Sequence, residues 1–110
     1  MAAIQFRAQA EIKPVAQLPG ITRRTMAWAD QVMICQFTAK AGGTIPLHQH
    51  VHEQVGCVVS GRVEFTVDGA KYIVGPGDGY AIPSNLVHGA VALEDSVLVE
   101  AFSPSRDEYR

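Results

Sequence analysis

Apolar residues in this chain recur at every second position over short stretches, and glycine, proline and aspartate cut those stretches apart. The clearest case is Arg62 to Val67, where Val63, Phe65 and Val67 alternate with Arg62, Glu64 and Thr66. That is the period of a strand with one face buried. Asp68-Gly69 follows directly; this pair tolerates positive φ at both positions and predicts a hairpin into Ala70 to Val74. Ile21 to Trp28 and Val32 to Phe37 read as strands joined at Ala29-Asp30-Gln31. Gln54 to Val59, Tyr80 to Ile82, Val87 to Leu93 and Val97 to Phe102 complete the set, with turns at Gly75 to Gly79 and Glu94-Asp95. A short extended segment is expected around Ile4 to Ala8. No window carries the apolar stripe of a helix. Roughly eight to ten short strands in so short a chain predict an all-β sandwich or small barrel.

The totals narrow this picture. A chain of 110 residues is expected to be one domain, with residues 1–20 as an extended segment packing on the barrel or on a dimer partner. A net charge of −2 without a basic cluster argues against nucleic acid or an anionic membrane as partner. The beginning of the sequence has no charged-then-apolar signal segment and no apolar run long enough to span a bilayer, so a cytoplasmic protein is expected. Cys35 and Cys57 both sit in apolar runs and are expected to be buried free thiols. Val55, Cys57 and Val59 have the parity opposite to Gln54 and offer an apolar outer face, which predicts a homodimer.

The chemistry is concentrated in Gly42-Gly43-Thr44-Ile45-Pro46-Leu47-His48-Gln49-His50-Val51-His52-Glu53-Gln54 and in a distant His88. His48 and His50 share strand parity, which would send both rings off one face, roughly 6.5 to 7 Å apart. Gln54 has the same parity. Neutral imidazoles bind first-row transition metals, and an amide oxygen can complete such a site. Three imidazoles and an amide leave a +2 charge uncompensated, which favours an anionic oxygen as the next ligand. His52 shares the parity but is expected to lie outside the site, and Glu53 has the wrong parity. Trp28 and Tyr80 read as packing residues, and Tyr72, on an alternating strand, needs no special role.

These residues resemble the cupin family. Gly42, His48, His50, Gln54 and Gly61 stand at the spacing of its first motif, and Gly77, Pro83 and His88 at that of its second. The resemblance implies a single-domain jelly-roll β-barrel with one divalent transition metal (Zn, Mn, Ni, Fe or Co) held by His48, His50, Gln54 and His88. Three positions depart from the usual pattern. Gln54 replaces a glutamate, Asn85 a glycine and Ala92 an asparagine.

Within the family the chain is most similar to the small KdgF-type cupins that open 4,5-unsaturated uronates during pectin and alginate breakdown. These also place a glutamine among three histidines and carry an acidic residue, a phenylalanine and an arginine near the C-terminus. Phe102 and Arg106 match by spacing, and Glu100 stands where aspartate is usual, one methylene longer. The resemblance implies a small carboxylated sugar as substrate, Glu100 and Arg106 as catalytic residues, and Phe102 and Arg106 as substrate contacts. Arg24 is a weaker candidate for the carboxylate. Two alternatives have other chemistry: a non-haem Fe(II) dioxygenase, and a non-catalytic domain whose metal organises a ligand pocket.

Overall fold

The computed structural model describes residues 3–110. Its ten strands are β1 (Val15–Leu18), β2 (Ile21–Trp28), β3 (Met33–Ala39), β4 (Thr44–His48), β5 (Glu53–Ser60), β6 (Val63–Val67), β7 (Ala70–Val74), β8 (Gly79–Ile82), β9 (His88–Ala92) and β10 (Ser96–Ser103). They form a six-stranded sheet in the order β1-β2-β3-β10-β5-β8 and a four-stranded sheet in the order β4-β9-β6-β7. The two sheets close over one core that includes Ile21, Met33, Phe37, Val58, Phe65 and Leu98. This is the expected all-β jelly-roll barrel.

The alternation read from the sequence sets which face each strand buries. On β6, Val63 and Phe65 are buried and Glu64 and Thr66 are only half so. The hairpin into β7 turns at Asp68 (φ 48°) and Gly69 (φ 82°), the two positive-φ positions of a tight type I′ connection. On β10, Leu98, Glu100 and Phe102 point inward and Val97, Val99 and Ala101 do not. Register carries this across the six-stranded sheet. Glu100 lies between Cys35 and Gly56, and Phe102 between Met33 and Gln54.

The structure corrects two expectations and adds one strand. The segment from Ile4 to Ala8 joins no sheet and leads into a 3₁₀ turn at Gln9–Glu11. The first strand is β1, only four residues long and flanked by Pro14 and Pro19, too short for a period to emerge. It pairs with β2 alone, an edge position that tolerates flanking prolines. The strand expected to carry both His48 and His50 ends at His48, after a register shift opposite β9 between Ile45 and His48, where Pro46 has no N–H to offer a ladder. Cys35 is buried, but Cys57 is exposed, because the inward parity of β5 belongs to Gln54 and Val58.

The C-terminus folds back over one end of the barrel. A 3₁₀ turn at Asp107–Tyr109 buries Tyr109, whose ring packs edge-on to Phe37 and Phe102. Thr25 donates a hydrogen bond to the Tyr109 carbonyl. Among the described residues no helix is long and apolar enough to cross a membrane.

The β6 alternation gives a stability test. Val63→Ala removes buried methyl groups and should cost about 2 kcal/mol. Glu64→Ala, whose loose contact with Lys71 spans 3.8 Å, should stay within about 0.5 kcal/mol. Urea unfolding of the two variants checks both values.

Candidate metal centre

The three histidines of the sequence motif converge. One ring nitrogen from each of His48, His50 and His88 lies within 4.8 Å of the others. The ring centroids stand 4.3 Å (His48–His88), 4.8 Å (His50–His88) and 5.3 Å (His48–His50) apart. His48 closes β4 and pairs with His88, which opens β9. His50 lies beyond the strand, in a loop held from outside. The Asn85 N–H donates to the His50 carbonyl at 2.8 Å, and the Ser84 hydroxyl to the Val51 carbonyl at 2.6 Å. Asn85 has φ 63°. Asparagine is one of the few residues besides glycine that adopts this left-handed conformation readily, so it can stand where glycine is usual.

Each imidazole is oriented by its own backbone. Nδ1 of His48 contacts the Pro46 carbonyl at 2.9 Å, Nδ1 of His50 the His52 carbonyl at 2.9 Å, and Nδ1 of His88 the Leu86 carbonyl at 2.8 Å. A carbonyl only accepts, so Nδ1 carries the hydrogen and Nε2 carries the lone pair. The Nε2 atoms of His50 and His88 are buried without a hydrogen-bond partner, which is costly unless something else meets them. Burial, aided by Arg106 and the neighbouring imidazoles, holds His50 down at about 4. Burial likewise lowers His88. Both rings are therefore neutral at pH 7, the form that binds a cation.

Gln54 is buried on β5 and donates from Nε2 to Oε2 of Glu100 at 2.7 Å. With its nitrogen turned toward Glu100, the amide keeps Oε1 as a donor atom for a metal. Glu100 also accepts the Tyr80 hydroxyl, on the same Oε2, at 2.5 Å. Burial pushes the Glu100 carboxyl up, against the opposing pull of Tyr80, Gln54 and Arg106. Burial and then Glu100 push the Tyr80 hydroxyl up. A side chain at Gly56 would close this arrangement, since its Cβ would stand 2.6 Å from the Val99 carbonyl oxygen, 2.8 Å from the Tyr80 hydroxyl and 2.9 Å from Glu100 Cγ. Tyr80 packs against the core as expected, its ring 4.5 Å from that of Phe65, and adds the hydrogen bond to Glu100. The one signal of its contact in the sequence is Gly56, a glycine inside a valine-rich strand, which marks a close approach.

A cavity of about 300 Å³ opens beside these groups. His48, His88, Gln54, Glu100, Phe102 and Arg106 all reach it. Phe102 is fully buried and its ring lies 6.3 Å from that of His50. Arg106 sits over the rings of Phe102 and Tyr109, at 5.3 and 4.2 Å, and its Nε is paired with Glu108 at 2.9 Å. Its Nη groups remain for a ligand. Arg24 does not join them. On β2 the inward residue is Arg23, whereas Arg24 is of opposite parity and its Nε donates to the Ile12 carbonyl at 3.0 Å. His52 meets the site through the carbonyl that orients His50 and through its ring, edge-on to that of His50 at 5.4 Å.

The family model for the cupin domain matches residues 36–102, the span from β3 to the end of Phe102 that supplies every one of these candidate ligands. The chain belongs to the cupin family. This cupin is 37% identical over 92 residues to the pectin degradation protein KdgF of Dickeya dadantii (strain 3937), covering 82% of this chain and 84% of that protein. The structure of KdgF from Halomonas sp. superposes with a TM-score of 0.92 at 35% identity, over 98% of this chain and 100% of that one. An RmlC-like cupin from Shewanella frigidimarina NCIMB 400 gives a TM-score of 0.92 at 26% identity, over 98% and 97% of the two chains.

The donor set predicts one divalent ion per chain. Elemental analysis of the wild type should find it, and His88→Ala should lose it. Adding the ion to chelated wild type should raise the melting temperature, and His88→Ala should give no such rise.

Proposed function

We propose that this cupin is a metal-dependent enzyme that opens the ring of a 4,5-unsaturated uronate to a linear keto-aldehyde acid. The observation that carries the reading is that Glu100, Phe102 and Arg106 line the same cavity as His48, Gln54 and His88. The similarity to two proteins named KdgF, one of them named for pectin degradation, supports it.

A divalent ion held by His48, His50, Gln54 and His88 would supply Lewis-acid charge for an anionic oxygen of the sugar acid. Arg106 has its Nη donors for the substrate carboxylate, in the two-bond geometry that guanidinium allows. Its place over two aromatic rings fixes it before the ligand arrives. Phe102 gives the sugar ring an apolar wall. Glu100 moves the proton. The hemiacetal hydroxyl loses a proton as C1 becomes a carbonyl, the bond from C1 to the ring oxygen breaks, and C4 gains a proton as C5 becomes a ketone. Substrate and product are isomers, so no further reactant is required. The added methylene of Glu100 is accommodated by Gly56 and held by Tyr80.

The test follows the ultraviolet absorbance of the enol ether with metal-loaded protein. Wild type should remove it, His48→Ala should not, and Glu100→Gln should fall by about a hundredfold or more. Full activity of Glu100→Gln would remove that residue from the reaction. An inert wild type with metal bound would turn the search to oxygen chemistry or to simple ligand binding.

We also propose that the cupin acts as a homodimer. Gln5 and Arg7 fasten the N-terminal arm to Trp28 N–H and the Thr25 carbonyl, yet Ile4 and Phe6, on either side of Gln5, are 90% and 96% exposed. Ile34, Val55 and Val59 are exposed on the outer face of the six-stranded sheet. One chain thus carries both an apolar projection and an apolar face, the self-complementarity a two-fold interface needs. Light scattering at micromolar concentration should give twice the chain mass and Phe6→Asp should give the chain mass; a monomeric wild type would overturn the proposal.

A further inference from the structure

One hydrogen-bonded chain at the cavity has no part in the mechanism above. Arg23 on β2 is only 8% exposed. Its guanidinium lies 4.1 Å from the centroid of the Tyr109 ring, and its Nε is buried without a partner. No described carboxylate pairs with it. Its Nη1 donates to Oε1 of Gln17 on β1. Gln17 in turn donates from Nε2 to the hydroxyl oxygen of Tyr109 at 3.1 Å. Gln17 and Tyr109 both line the cavity.

The direction of this chain is fixed at its start. A guanidinium can only donate, so the Gln17 amide must turn its oxygen to Arg23 and its nitrogen to Tyr109. The Tyr109 oxygen is then an acceptor at that contact, and its own hydrogen is left over. Among the described residues the Tyr109 hydroxyl has no other partner. Burial also pushes the Tyr109 hydroxyl up, so it keeps its hydrogen at neutral pH.

We infer that Tyr109 donates a hydrogen bond from its hydroxyl to a ligand oxygen in the cavity, and that Arg23 and Gln17 are positioning residues that set the direction of that donation. The inference rests on the reading of the cavity as a sugar-acid site. It adds a second point of recognition, on the edge strand β1 and the C-terminal turn, for a hydroxyl or carboxylate oxygen of a uronate. The uncompensated charge of Arg23 behind Gln17 strengthens the donor and suits an anionic ligand.

The telling substitution is Gln17→Glu. A carboxylate at position 17 accepts from Arg23 and from Tyr109 alike, so the tyrosine hydrogen turns away from the cavity while Arg23 gains a counter-ion. Melting temperature should hold or rise. Binding of galacturonate, a uronate without the enol ether, is measured by calorimetry on metal-loaded proteins. Tyr109→Phe and Gln17→Glu should each weaken it about tenfold. The double variant should be no weaker than Tyr109→Phe alone, which separates the direction of the hydroxyl from the charge added at position 17. Wild-type affinity in both single variants would overturn the inference, as would a wild type that does not bind galacturonate at millimolar concentration. A further loss from Gln17→Glu in the Tyr109→Phe background would also overturn it. Weakened galacturonate binding in a protein inert toward the unsaturated sugar would sustain the inference and remove only the proposed reaction.

Discussion

A buried amide among three imidazoles has to satisfy its nitrogen before it can offer its oxygen, and here the Glu100 carboxylate does so. That contact depends on strand register. Glu100 is paired with Gly56, and Phe102 with Gln54, so the inward side chains of β10 lie beside those of β5. A one-residue slip between the strands would turn Glu100 and Phe102 outward together and leave Gln54 with an unpaired amide. Against β5 the register runs unbroken from Leu98 to Ser103, after a shift at Val97, and β10 is sandwiched between β3 and β5 at the middle of the larger sheet. Gln54, Glu100 and Phe102 thus stand on strands paired on both sides, whereas His48 lies on the edge strand β4 and His50 on a loop.

Much of this was legible in the sequence for a simple reason. Strand period and turn chemistry are local, so β2, β5, β6, β7 and β10 could be read from alternation and from pairs such as Asp68-Gly69. The three histidines could be read because two stand close in sequence and the spacing of the third matches a known motif. Their route to convergence was not legible. Parity placed His48 and His50 on one strand, whereas His50 reaches the site from a loop whose position is set by Asn85, far along the chain. β1 was missed because four residues between prolines show no period. Composition does not distinguish the adjacent Arg23 and Arg24; the inward face of β2 does, and it buries Arg23.

The tail is the other instance. Tyr109 and Arg106 follow Pro104, where local signals stop; only the family resemblance points to Arg106, and nothing in the sequence points to Tyr109. Their burial comes from long-range contacts. Thr25 holds the Tyr109 carbonyl, Gln17 its hydroxyl, and two guanidiniums lie against its ring. Contacts of such sequence separation have no period and no motif. They become visible only when the barrel has closed and the remaining segment must find a surface.

The loop that carries His50 is fastened mainly through main-chain atoms, by the Asn85 N–H outside it and the His52 carbonyl within it. Any residue but proline supplies such atoms. Apart from the need for a residue that tolerates positive φ at position 85 and for the hydroxyl at position 84, the side chains of these loops are therefore open to change without moving the imidazole. Over evolutionary time the mouth of the barrel can drift in sequence, and so in what it admits, while the centre beneath it stays in place.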